Sequence, residues 1–286
     1  VELFYISSGT TLETQKEKFN EALNDFVNNA TMYSSEYERE KYVNDYIISN
    51  CVYDDEAAYN NKTQGNVSTA YGVLVDGKAI CEGYARAFQL LCNKLGIECV
   101  SIAGMTGDVG HEWNCAKIDG NWYQVDVTWN DSQDDFSNYY YFNLTDEQMY
   151  SSHRADDLFD EIEPDNYNND ENLIGNLYVP ECNSTEYNYY NQTAPILYAF
   201  DEENDNTISN ALANSAVNGD NYFNIIVDDS LDFEDAYSTL VQDGYVVNYI
   251  ESANNMLWGE VELDTSSYAY KNDTLRVITI VLNYIN

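Results

Sequence analysis

The sequence predicts an α+β chain: a helix that opens on Cys81 and packs on an antiparallel sheet, followed by a smaller C-terminal α+β module. Three observations predict it. Cys81, Tyr84, Ala85, Phe88, Leu91, Cys92 and Leu95 recur at helical spacing, a stripe that must face a core. HEWNCAKI and NWYQVDVTW flank Asp119-Gly120, a strong two-residue hairpin signal. Past residue 195, the runs ILYAF, NYFNIIVDD, YVVNYIES, MLWGEVEL and LRVITIVLNYI read as strands, with LDFEDAYSTLVQD as a helix among them. Such an order predicts mostly antiparallel pairing in that module.

Residues 2–7 read as a short strand. Residues 11–29 carry Phe19, Ala22, Leu23, Phe26 and Val27 on one helical face. A second helix begins near Ser35, whose partner Glu38 completes a capping-box pattern, and its stripe is Tyr42, Val43, Tyr46 and Ile47. The polar residues 54–67 read as a loop. The helix over 81–95 ends at Gly96, which suits a left-handed cap, and a strand follows over 97–104. All three prolines fall between 164 and 195, around a stretch rich in Asp and Asn, which sets a module boundary near 165–180. The expected organisation is an N-terminal strand and helix over 1–34, a core over 35–165 and an accessory module over 166–286. No repeat of fixed period is present.

Hydrophobic residues make up 44% of the 286, enough to exclude wholesale disorder. No apolar run approaches the roughly 20 residues that cross a bilayer. The formal charge of −38 repels phosphate backbones and disfavours nucleic acid. It suits a heavily solvated exported protein, or one that recruits basic segments. The chain starts at Val1 without a basic and then apolar leader, as expected of a processed or trimmed chain from an exported or cell-surface protein. None of the six cysteines forms a CxxC pair, so neither a zinc ribbon nor a thioredoxin-like motif is expected. With Cys81 working as a thiol five remain, so at least one more is free in a monomer. Acid-rich runs such as 201–206 lack the spacing and glycine of a calcium loop, and no metal or other cofactor is expected.

Cys81 opens its helix, where unpaired N–H groups and the positive end of the dipole favour thiolate over thiol. Its own N–H is placed to help hold an oxyanion. Gly83 removes bulk beside the sulfur, which suits close approach of a substrate. Cys92, on the same stripe, reads as a core residue. The chain has two histidines, His111 and His153, so a histidine base has few candidates. The Asp119-Gly120 turn sets Ile118 opposite Asn121, and therefore Trp113 opposite Asp126 and His111 opposite Thr128. His111 and Asp126 become diagonal neighbours on one face, roughly 7–8 Å apart at the backbone, a gap their side chains can close. A slip of one residue would turn Asp126 away. Packing of the Cys81 helix on that same face would complete a nucleophile, a base and the acid that orients it.

The segments GKAICEGYARAF, GHEWNC and DGNWYQVDVTWND resemble the transglutaminase-like superfamily, in its bacterial branch assigned as cysteine peptidases. Cys81, Gly83, Tyr84 and Ala85 match the family's helix start. His111, Trp113 and Asn114 match its histidine strand, and Trp122, Tyr123, Val125, Asp126, Thr128 and Trp129 its aspartate strand. The motifs keep their order, thirty and then fifteen residues apart, and the likeness spans about 35 to 155, with YYYFNLT (139–145) similar to a strand that often follows. The resemblance implies a papain-like core and a catalytic Cys81–His111–Asp126 triad. It also implies a second oxyanion donor upstream of the nucleophile, for which Tyr71 and Gln64 are the candidates. Trp113 and Trp129 are candidates for the cleft wall, although core packing suits both better. His153 matches a loosely recurring position and reads as structural. Glu112 departs from the family's usual small residue and is expected to face solvent.

The function expected is a thiol-dependent amide hydrolase, a cysteine peptidase acting on a peptide or protein, basic or cell-wall-derived segments included. An amine acyltransferase (a transglutaminase) shares its first half-reaction. A non-catalytic binding module on the same fold is the third reading.

Overall fold

The computed structural model describes residues 8–60, 65–132, 134–155, 179–259 and 261–285. The chain divides into two compact units, Val1–Tyr187 and Asn188–Asn286. The strand expected over 2–7, and most of the boundary expected near 165–180, lie outside the described residues.

The first unit begins with α1 (Gly9–Ala30) and α2 (Glu36–Asn50). Ser35 caps α2 through the expected capping box: its side chain accepts from the Glu38 N–H, and Glu38 reaches back to the Ser35 N–H. A two-residue strand, β1 (Val52–Tyr53), is followed by α3 (Asp55–Tyr59), a short helix in the stretch expected to be loop. β2 (Lys78–Ala79) pairs in parallel with β1, setting Tyr53 opposite Ala79. The next element is α4 (Cys81–Lys94), ended by Gly96 at φ +83°.

A four-stranded sheet follows, in the order β5-β4-β3-β6: β3 (Cys99–Thr106), β4 (Val109–Ile118), β5 (Asn121–Val125) and β6 (His153–Ala155), all antiparallel. Asp119 (φ +47°) and Gly120 (φ +92°) form the tight turn between β4 and β5, and Ile118 pairs with Asn121 as the turn requires. Gly104 on β3 is a packing glycine. A Cβ there would lie 2.2 Å from the Arg154 carbonyl oxygen and 2.6 Å from the Trp113 ring, so a side chain would push apart β3, β6 and the tryptophan.

Three expectations need correction here. β5 stops at Val125 instead of running to Trp129. The Asp126 side chain accepts from the Thr128 and Trp129 N–H groups and caps α5 (Val127–Asn130), so the chain turns helical where alternation suggested strand. Thr128 therefore lies on α5, not opposite His111. Residues 139–145 form turns, with a lone bridge from Leu144 to Gln124, and Asn143 adopts φ +59°. Finally, α4 packs on the face of β4 opposite to His111. Asn114 reaches from β4 to the Ala85 carbonyl of α4 at 3.0 Å, and Glu112 faces Glu82 and Arg86, so the even-numbered residues meet the helix. The odd-numbered residues His111, Trp113 and Cys115 look the other way, toward α6 (Asp146–Met149) and the chain around Cys182.

The second unit holds α7 (Tyr189–Thr193), β7 (Ile196–Leu197), α8 (Glu202–Asn218), β8 (Tyr222–Val227), α9 (Phe233–Tyr237), α10 (Val246–Leu257), β9 (Ala269–Asn272) and β10 (Val277–Val281). Its sheet runs β7-β8-β10-β9, antiparallel except for β7 with β8. YVVNYIES is a helix, α10, and not a strand. MLWGEVEL is not a strand either: α10 ends in it at Trp258 (φ +52°) and Gly259 (φ +79°), and Leu263 makes a single bridge to Tyr284. α7 and α8 are helices that the sequence did not lead us to expect. Among the described residues, no helix is long and apolar enough to cross a membrane.

Candidate functional site

Because β5 ends at Val125, the last rung between β5 and β4 is Val125–Asn114, and the edge of β4 at His111 has no β5 partner. The N-terminus of α4 fills that gap. Cys81 is the first residue of α4 and part-exposed, and its side chain lies close enough to His111 to raise the imidazole pKa. The sulfur thus meets the imidazole around a strand edge, although the body of its helix covers the other face. Had β5 continued to Trp129, the extended strand would have closed this approach.

His111 Nε2 lies 2.7 Å from Asp126 Oδ2. An ionised carboxylate can only accept, so this nitrogen carries a proton and Nδ1 is left for the sulfur. Asp126 is fully buried, and four donors surround it. Oδ1 accepts from the Thr128 N–H (2.9 Å) and the Trp129 N–H (3.2 Å), and Oδ2 accepts from His111 and from His153 Nε2 (3.0 Å). Burial alone would raise the Asp126 pKa, but the hydrogen bonds from His111 and His153 and their charge outweigh it and hold the carboxyl at about 2. For His111, burial pulls downward. The hydrogen bond to Asp126, the neighbouring Cys81 and the negative charge of both win and raise it to about 10.

A shell of rings surrounds this relay. Trp113 stacks near His111 (6.2 Å between centroids) but is fully buried, with its Nε1 donating to Gln124 Oε1 at 2.7 Å. Trp129 lies 5.8 Å from the His111 ring and is 36% exposed, so of the two tryptophans it is the one at the rim. Tyr71 stacks against Phe19 of α1 at 6.2 Å, and Gln64 lies outside the described residues. The tyrosine beside the nucleophile is Tyr53, whose hydroxyl lies near enough to Cys81 to feel its charge. Burial, and then the neighbouring charge of Cys81 and Asp55, pushes the phenol up to about 12, so it stays protonated. Sequence reasoning missed Tyr53 because a two-residue parallel pairing puts it there, and so short a ladder leaves no periodic signal.

Two further expectations change. The space beside Gly83 is taken by protein: a Cβ would lie 2.4 Å from the Val67 carbonyl oxygen and 2.8 Å from the Ala79 Cβ, so this glycine packs α4 against its neighbours and leaves no opening for substrate. Glu112 is half-buried against Glu82, Arg86 and Ser101, not free in solvent, and burial raises its pKa. Arg86 and Glu82 pair on the same helix. His111, Asp126 and His153 bring three potential ligand atoms within 4.8 Å of one another, but their N–H···O bonds satisfy one another, as a hydrogen-bonded cluster does.

Residues 24–127 match the family model of the transglutaminase-like superfamily, an interval that includes Cys81, His111 and Asp126. Over 167 residues the chain is 29% identical to the kyphoscoliosis peptidase of Mus musculus and 27% identical to that of Homo sapiens. Each alignment takes in 54% of this chain and 24% of the relative, so the chain spans about a quarter of the length of the curated relatives it matches. A solved structure described as a TGase overlaps 45% of this chain and 35% of its own, at 20% identity and a TM-score of 0.37. Motifs and family match fall on the same stretch of the first unit: residues 24–127 of this chain match the transglutaminase-like superfamily.

Proposed function

We propose that the chain is a thiol-dependent amide hydrolase, a cysteine peptidase in which Cys81 is the nucleophile, His111 the base and Asp126 the acid that orients it. The observation that carries this reading is a buried carboxylate hydrogen-bonded to one imidazole, with the sulfur of the first residue of a helix beside that imidazole. His111 takes the Cys81 proton on Nδ1, and the sulfur attacks the amide carbonyl carbon. The oxygen that becomes negative is held by the Cys81 N–H and the Tyr53 hydroxyl. His111 returns its proton to the leaving amine nitrogen as the C–N bond breaks, which leaves a thioester. Water, deprotonated by His111, attacks the thioester and releases a carboxylic acid and the thiol. The name of the two peptidase relatives supports water over an amine as the second nucleophile.

The test is a panel of peptide and cell-wall fragments offered to wild type and to Cys81→Ala. Cleavage by wild type alone is the expected result. A lysine donor captured as an isopeptide would instead make the protein an amine acyltransferase. Iodoacetamide near neutral pH should modify Cys81 before the buried thiols Cys51, Cys92, Cys99, Cys115 and Cys182. Equal labelling, with every activity intact in Cys81→Ala, would leave only a binding role. Tyr53→Phe should slow turnover by about 10²-fold while iodoacetamide labelling stays fast, because alkylation forms no oxyanion.

A further inference from the structure

Both histidines of the chain reach one oxygen atom. Asp126 Oδ2 lies 2.7 Å from His111 Nε2 and 3.0 Å from His153 Nε2, while Oδ1 is filled by two backbone N–H groups. A carboxylate offers about four lone-pair sites, and all of them are occupied here. The His153 ring is fixed independently of the substrate side. Its Nδ1 is 2.8 Å from Ser152 Oγ, the ring packs at 4.6 Å from Trp129 and 5.1 Å from Trp113, and its backbone is locked by the pairing of His153 with Thr106 on β3. With Asp126 ionised and able only to accept, His153 Nε2 must be a donor, which leaves Nδ1 to the Ser152 hydroxyl. The relay therefore has a second arm, Ser152–His153–Asp126, that ends inside the protein and never touches the sulfur.

We propose that His153 is a positioning residue for the thiol reaction: its Nε2–H pins Asp126 Oδ2 in line with His111 and takes a share of the carboxylate's charge away from it. This rests on the reading of Cys81, His111 and Asp126 given above. Two imidazoles compete for one anionic oxygen. Each hydrogen bond that His153 donates lowers the basicity of Oδ2, and so weakens its hold on the His111 proton. An imidazole that must accept a proton from sulfur and then surrender it to a leaving amine works best when it is not bound too tightly to its own acid. Loss of the His153 donor concentrates the charge on the His111 bond, and His111 then keeps its proton to higher pH. A histidine that only filled the space among Trp113, Trp129 and Tyr141 would have no such effect.

The experiment measures the rate at which iodoacetamide alkylates Cys81, from about pH 4 to about pH 11, with the imidazole NMR titration of His111 alongside. The upper step of the rate profile reports loss of the His111 proton, and substitution of the other histidine leaves a single imidazole to follow. His153→Phe keeps the ring and removes the donor. It should move the step and the NMR titration upward by about half a pH unit or more. His153→Gln, whose amide N–H can still reach Oδ2, should stay with wild type. If His153→Phe does not fold, His153→Asn replaces it, since the shorter amide falls short of Oδ2 and the same contrast with His153→Gln applies. Folded variants whose profiles all superimpose on wild type overturn the proposal. A wild-type profile with no His111-dependent step is a different failure, of the thiol reading itself.

Discussion

The interiors of the two units are built from different materials. In the first, the buried polar side chains include Glu40, Asn44, Asp54, Asn114, Gln124, Asp126, Asn130, Asn143 and His153, four of them ionisable. In the second, the buried polar residues among those described are Asn188, Asn204, Ser209 and Thr279, none of them a carboxylate, histidine, lysine or arginine, around an apolar cluster that includes Leu212, Ile225, Leu240, Tyr249 and Ile278. Burying a charge costs several kcal/mol unless partners satisfy it, so the first unit retains an arrangement that stability alone does not favour. That is the expected signature of a unit selected for chemistry beside one selected for packing. It also means that pH acts on the two interiors differently.

The largest effect should come from the most connected buried group. Asp126→Asn keeps shape but turns one acceptor oxygen into a donor, so at least one of the four N–H groups around it loses its acceptor. Turnover should fall by about 10³–10⁴-fold, the scale seen when an orienting carboxylate is made an amide. Stability should fall by about 3–5 kcal/mol as buried N–H donors lose their partner. The matching change in the second unit is Ile225→Ala, at a fully buried position, with an expected cost of about 2–5 kcal/mol from lost burial and the cavity left behind. Denaturant unfolding across pH separates the two: the Ile225→Ala cost should be the same at each pH, and the Asp126→Asn cost should not. Equal pH dependence would erase the contrast between the interiors.

The pH response can be signed residue by residue. His111 is raised from 6.5 to about 10, so its contribution is complete below 6.5 and is lost as pH rises through about 10. Glu40 is fully buried and is raised from 4.5 to about 8, chiefly by burial and against the Asn143 hydrogen bond. The folded state holds its proton where the unfolded state does not, so stability again falls as pH climbs from 4.5 through about 8. Asp126, lowered from 3.8 to about 2, acts at the other end: its contribution is present above 3.8 and is lost as pH falls through about 2. The first unit should therefore be most stable in mild acid. Glu40→Gln, which keeps an acceptor for the Asn143 amide at 2.7 Å, should stabilise by about 1–3 kcal/mol above pH 8, by nothing near pH 4, and should flatten the slope between. A slope unchanged by this substitution would mean that Glu40 is ionised in the folded protein.

The same contrast explains what could be read from sequence. In the first unit the informative residues are chemical, and few arrangements satisfy them. One Asp-Gly turn fixed the register, and one helix start fixed the sulfur. The error there was local and instructive: alternation carried β5 past Val125, while the Asp126 side chain, by capping α5, ended the strand and opened the edge that Cys81 needs. In the second unit only periodicity was available, over windows that were too short. Tyr245, Val246, Val247, Tyr249 and Ile250 look like a strand across eight residues. Extended to Leu257, the buried set Val246, Tyr249, Ile250, Ala253 and Leu257 has a helical period, and length should have decided the matter. Likewise the acidic start of α8 drew attention to cations, whereas Asp201 caps the helix by accepting from the Asn204 N–H at 3.0 Å.

The caps give the smallest effect and the test of whether local rules, as opposed to interiors, differ between the units. Ser35 accepts from the Glu38 N–H at 3.1 Å at the start of α2, and Asp201 does the equivalent at α8. In each case one side-chain oxygen satisfies one helix N–H that would otherwise face only water. Ser35→Ala and Asp201→Ala should each cost about 1 kcal/mol, read as a shift in denaturant midpoint with an unchanged slope. The two costs should match near neutral pH, because a cap is worth what its hydrogen bond is worth and is indifferent to the composition of the core beneath it. The Ser35 hydroxyl also donates to the Glu38 carboxylate, and the Ser35 hydrogen bonds hold Glu38 below its usual range, so the cost should shrink in acid as Glu38 takes up a proton. A Ser35→Ala cost that instead followed the titration of Glu40, five residues along the same helix, would show that the polar interior reaches out to the cap and that the two units differ in their local rules as well.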